Sequence, residues 1–184
     1  MKFTTGLCRL SYAHVFEPKE DLNGNLKYSC SLIIPKSDKA QIDRINAALA
    51  EILDDKETIQ KLGGKLKGID LPLHDGDLRE TDNEAYAAYK DSMYLNAKSN
   101  PDHAPKVVLQ DRTECVDRDD VYSGCWVQAV LSFFPYNKNG KKGIGVGLLA
   151  IRKIKDGTPL AGTSVSDKDF DDSVLGADME ALLS

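Results

Sequence analysis

Aromatic and cationic side chains gather in one stretch, residues 121–155, where two β-rich runs flank a turn of Asn, Gly and Lys. In the first run Trp126, Phe134 and Tyr136 fall on one face of a period-two strand, beside Gln128, Val130 and Ser132. Flat rings on a partly polar face can stack on any nucleobase, because every base has a π-face. Lys138, Lys141 and Lys142 sit at the turn, where ammonium groups can meet phosphates. Tyr94, Lys98, Lys106, Arg112 and Arg152 extend this set from other parts of the chain. Arg152 and Lys153 are strand neighbours and point opposite ways, so only one of them can join it. The same hairpin also reads as an ordinary two-sided sheet with a solvated basic turn, and Trp126 as a plug of the interior.

A second kind of chemistry is open to His74, Asp75 and Asp77. An imidazole and two carboxylates this close could hold a divalent ion for hydrolysis. Asp-Gly is also plain turn chemistry. His14 and His103 lie in other predicted elements, and no Walker loop, Gly-x-Ser-x-Gly or His-Glu-x-x-His is present. The four cysteines, Cys8, Cys30, Cys115 and Cys125, form no Cys-x-x-Cys pair and read as buried free thiols. The expectation is a non-enzymatic protein with no cofactor and no metal.

The elements that must position these groups are mostly strands. Residues 3–16 predict a first strand kinked at Gly6 and ended by Glu17-Pro18. A turn at 21–25 leads to a second strand, 26–34, stopped by Pro35. Asp38 and Gln41 make a capping box. Ile42, Ile45, Leu49, Ile52 and Leu53 then recur at helical spacing, with Asp43, Arg44, Glu51 and Asp54 outside, up to Gly63-Gly64. His74–Asp77 predicts a turn. Thr81 with Glu84 predicts a short helix over 82–91. Strands at 93–98 and 106–110 follow, then a charged loop, 111–120, and the hairpin. In the hairpin's first strand Val127, Ala129, Leu131 and Phe133 form the inward face. About six strands and one good helix favour a small closed barrel of the OB type, mainly β.

The charge is uneven. The whole chain of 184 residues has a formal net charge of −5. Residues 156–184 carry seven acidic side chains against Lys168 alone, so the body before them is close to neutral and can hold a local basic groove. Two parts are therefore expected: a domain at 1–155, and a linker with an acidic C-terminal tail at 156–184 that is disordered in isolation. No run of 18 apolar residues exists and the N-terminus has no signal-peptide pattern, which points to the cytoplasm.

Gly6-Leu-Cys-Arg-Leu-Ser-Tyr-Ala-His-Val-Phe-Glu-Pro18, Tyr28-Ser-Cys-Ser-Leu-Ile-Ile-Pro-Lys36 and the following helix resemble a family of tailed-bacteriophage single-stranded DNA-binding proteins with an OB fold. Tyr122-Ser-Gly-Cys-Trp126, Phe134-Pro-Tyr-Asn137 and Gly145-Val-Gly-Leu-Leu149 fit the same family, and the resemblance spans about 3–155. It implies a sequence-independent coat on exposed single strands during phage replication, recombination and repair, in the host cytoplasm. It also implies an acidic tail that recruits polymerase or helicase and competes for the DNA groove. Here those tail residues would be Asp169, Phe170, Asp171, Asp172, Asp178 and Glu180. Family tails often end in an aromatic residue, whereas this chain ends Glu180-Ala-Leu-Leu-Ser184, which leaves the tail's partners open. A homo-oligomer is also left open. The competing readings are a protein–protein adaptor or virion component, and the metal-dependent hydrolase at His74, Asp75 and Asp77.

Overall fold

The computed structural model describes residues 1–79, 84–160, 170–175 and 183, with the backbone alone at 84–86. Eight strands form one sheet: β1 (Lys2–Thr4), β2 (Cys8–Glu20), β3 (Leu26–Pro35), β4 (Leu73–Asp75), β5 (Ser92–Ser99), β6 (Lys106–Val108), β7 (Trp126–Lys138) and β8 (Lys141–Lys155). Two helices, α1 (Lys39–Asp54) and α2 (Lys56–Lys61), lie between β3 and β4. The sheet returns on itself through β7, β2, β3, β5 and β8. Every pairing in this ring is antiparallel except β5 with β8, which meet at Lys98 and Gly147. This is the closure expected of an OB-type barrel.

The interior follows from strand periodicity. Val127, Ala129, Leu131 and Phe133 alternate inward on β7 and are fully buried. Leu10, Leu32, Ile34, Leu95, Leu148 and Ile151 meet them from the other ring strands. Helix α1 closes the core with Ile45, Leu49 and Ile52, each worth about 1.5–3 kcal/mol by area removed from water. Its start is the expected cap: the Asp38 carboxylate accepts from the Gln41 backbone N–H at 3.2 Å. The Gln41 side chain goes further than a cap requires. Buried, it accepts from Gly6 N–H at 2.8 Å and donates to the Leu7 carbonyl at 3.1 Å, which ties the β1–β2 corner to the helix.

Several boundaries differ from the sequence expectation, each for a local reason. The kink at Gly6 is a full break that separates β1 from β2. Pro18 does not end β2. The ladder to β3 skips register between His14 and Lys19, so the missing N–H of Pro18 costs no ladder bond. His74 and Asp75 belong to β4, which borrows its extended form from β5 through Leu73–Leu95 and His74–Tyr94 pairs. The fourth ring strand, β7, starts only at Trp126, because Gly124 turns the chain at φ +118. The helix expected to run up to Gly63-Gly64 is broken at Asp55 into α1 and α2. Asp55 caps α2 by accepting from the Thr58 N–H and hydroxyl, both at 3.0 Å. The Thr81–Glu84 box lies outside the described side chains, and a 3-10 turn, Glu84–Tyr89, stands where the second helix was expected.

Candidate nucleic-acid interface

A groove of about 900 Å³ runs over the outer face of the ring where β5 and β8 meet. Its floor is β8. Ile144, Val146 and Leu148 turn inward, which leaves Gly145 and Gly147 facing out with no side chain between strand and solvent. Phe134 lies across this gap. It pairs with Gly145, and a Cβ there would come within 2.6 Å of the Phe134 ring. The ring thus fills the space a side chain would take, yet keeps 45% of its surface exposed. Such an arrangement presents a flat, fixed face to an incoming base.

Tyr136 continues the same face of β7 toward the hairpin tip, and Ser132 precedes it. Burial and the nearby negative charge of Asp70 push the Tyr136 hydroxyl above its ordinary value of 10.0, so it remains a neutral donor. The Asp70 backbone pins the groove's end by donating to the Lys142 carbonyl at 2.8 Å and accepting from Ile144 N–H at 2.9 Å. Across the groove stand Asn96 and Lys98, exposed on the outer face of β5, with Lys27 from β3 behind them. Lys27 donates to the Asn100 side chain. Lys98 makes no ion pair among the described residues, so its charge is available to a ligand. His74 and His103 complete the rim.

Of the residues singled out from sequence, Phe134, Tyr136 and Lys98 meet in this groove. Tyr94 stands one step behind it, with His74 5.2 Å in front and the Arg79 guanidinium 4.9 Å from its ring. Trp126 faces outward rather than plugging the core, but it lies eight residues from Phe134, roughly 26 Å along the strand. There Lys155 sits 5.3 Å over its ring and Gly157 packs on its edge. Lys138 and Lys141 are exposed at the hairpin tip. Lys142 is tethered: its ammonium donates to the Leu62 and Lys65 carbonyls at 3.1 and 2.8 Å and so caps the end of α2. Arg152 is likewise held by the Gln110 carbonyl at 2.6 Å. Lys106 and Arg112 line a separate trough. Asp169, Asp178 and Glu180 lie outside the described residues, while Phe170, Asp171 and Asp172 are exposed.

The sequence reading missed Lys27, Asn96, His103 and the glycine floor. Lys27 and His103 come from distant elements, and no local signal marks them. The floor had one: glycines at every second position from 143 to 147, out of phase with the apolar residues. The hydrolase cluster does not survive. Lys36 bonds both carboxylates, Asp75 at 2.7 Å and Asp77 at 2.6 Å, so an internal cation occupies the place of a metal.

The model of the Enc34 phage ssDNA-binding protein family matches residues 1–181. The chain belongs to this family. It is 29% identical to putative protein p50 of Acyrthosiphon pisum secondary endosymbiont phage 1, with both chains covered in full. Its fold is that of the single-stranded DNA-binding protein from bacteriophage Enc34, at TM-score 0.65 and 24% identity, covering 91% of this chain and 88% of that one. The same protein in complex with ssDNA matches at TM-score 0.65, over 87% and 89%. The gp2.5 single-stranded DNA-binding protein encoded by bacteriophage T7 matches at TM-score 0.60 and 17% identity, over 90% and 98%. The family and these solved structures are described as single-stranded DNA-binding proteins. Among the described residues no helix is long and apolar enough to cross a membrane.

Proposed function

We propose that this protein binds single-stranded DNA without sequence preference and protects it during phage replication, recombination and repair in the host cytoplasm. The observation that carries the reading is Phe134, exposed over Gly145 and Gly147 of β8 and sharing the groove with Lys98. Bases stack on Phe134 and Tyr136, and phosphates run along Lys98 and Lys27. Neither contact reads sequence. The family membership supports the ligand class.

The acidic tail is the second part of the proposal. It recruits replication proteins, polymerase or helicase, and occupies the groove when DNA is absent. The chain reaches its tail through a docked root: Arg9 donates to the Thr158 carbonyl at 2.6 Å, and Leu160 N–H to the Ser123 carbonyl at 3.0 Å. Truncation is therefore best made after Leu160.

The test is anisotropy of a labelled oligothymidylate at two salt concentrations, competed with duplex DNA. Expected is salt-sensitive binding that duplex displaces poorly, weakened about 5- to 150-fold by Phe134→Ala, the equivalent of about 1–3 kcal/mol per stacked base. Removing residues 161–184 should tighten binding at low salt; an unchanged affinity would end the competition model. No binding at low salt by full-length or truncated protein would leave a protein–protein adaptor as the better account.

A further inference from the structure

The groove has a neighbour. On the far side of loop 100–105 a second trough of about 530 Å³ is lined by Phe16, Lys106, Arg112 and Glu114. Ala104 lines both, so the two adjoin at one small side chain. The trough repeats the chemistry of the groove. Phe16 offers a half-buried ring, with the Arg118 guanidinium 5.8 Å from it. Lys106 and Arg112 make no ion pair among the described residues. Arg112 sits at the tip of a tight turn, at φ +69, which the Asp111 carboxylate holds by accepting from Thr113 N–H at 3.0 Å.

The groups of both sites stand in order beside β8. Gly143 pairs with Tyr136, Gly145 with Phe134, Gly147 with Lys98, and Ala150 with Lys106. The residues of β8 at these four stations are all small, and exposed Leu149, between the last two, adds an apolar contact to a lane of roughly 23 Å, with Arg112 beyond its end. A rim of cations along a lane with rings at both ends suits an extended polyanion with bases.

We propose that the bound single strand continues past the Phe134 groove, over Ala104, into the Phe16 trough, where Lys106 and Arg112 each meet a phosphate. This rests on the single-strand reading and adds the length and direction of the track. A short oligonucleotide fills the groove alone; a longer one spans both.

The test compares thymidine oligomers of about 5 and about 15 nucleotides, within the range of OB-fold site sizes. The variants are Lys106→Gln with Arg112→Asn, the latter because asparagine tolerates a left-handed backbone. On the long oligomer the double variant should reduce the slope of log affinity against log salt by about 1.4, two contacts at about 0.7 each for a single strand. On the short oligomer it should bind as wild type, whereas Phe134→Ala weakens both lengths. An unchanged slope on the long oligomer, with Phe134→Ala still weakening both, overturns the extended track and leaves the groove reading intact. Wild-type protein that binds neither length overturns both.

Discussion

Gly145→Ala separates the groove's two roles, holding the barrel together and presenting a ring. The added Cβ would stand 2.6 Å from two atoms of the Phe134 ring, closer than nonbonded carbons approach. Something must move, and the ring edge of a half-exposed side chain is cheaper to move than either strand. Stability should therefore change little: alanine restores some strand propensity and the displaced ring loses little buried area. Binding should suffer, because the stacking face tilts off the lane. Part of the roughly 1–3 kcal/mol of one stacked base is lost, so affinity should fall about 3- to 30-fold. The decisive assay is a double-mutant cycle with Phe134→Ala, read by anisotropy and thermal denaturation. On the Phe134→Ala background Gly145→Ala should cost almost nothing, since the ring it displaces is gone. An equal loss on both backgrounds would show that Gly145 serves the ligand directly and that the ring-on-glycine argument is wrong.

Other outcomes follow from contacts elsewhere. Gln41→Ala removes the partners of Gly6 N–H and the Leu7 carbonyl, at a cost of about 1–3 kcal/mol, and should lower Tm by about 3–10 °C; an unchanged Tm would refute the clamp. Burial pushes the Cys8 thiol up to about 12 and raises Cys30 and Cys125 as well, so a thiol reagent at pH 8 should label these three only after unfolding. Fast labelling of the folded protein would contradict this. The hydrogen bonds of Lys36 hold Asp75 and Asp77 below their ordinary value of 3.8, and those two carboxylates hold Lys36 above 10.5. Their contribution is thus present between these values, lost as pH falls through the lowered acid values, and lost as pH rises past the raised lysine value. The Tm difference between wild type and Lys36→Met should be flat from about pH 5 to 9 and shrink below about pH 3; a difference that grows in acid would overturn the assignment.

What could be read from the sequence was whatever local period decides. The inward face of β7 and the stripe of α1 are such cases: burial on one side selects residues at every second or every third and fourth position. Phe134 and Tyr136 were legible because they share the opposite phase. Elements that exist only through partners were not. Strand β4 is extended because β5 pairs with it, and the break that divides the expected helix depends on Asp55, which caps α2. Lys142 and Arg152 look like free cations in the sequence, and only distant carbonyls from residues 62, 65 and 110 show them engaged. The sequence left the face of Trp126 open; it turns outward, and strand length carries it far from the other rings.

The β5–β8 pairing at Lys98 and Gly147 also has a mechanical meaning. It is the seam of the barrel, the place where the ring is stitched most thinly, and the groove lies directly over it. A polymer laid across the seam touches both lips at once, Phe134 and Gly145 on one side and Lys98 on the other. Occupation would then work as a suture: the ligand holds shut the joint most prone to part, so amide exchange at the lips should slow on a loaded strand far more than in the α1-side wall. A single-strand binder built this way would be stiffest while loaded and easiest to open once it has let go.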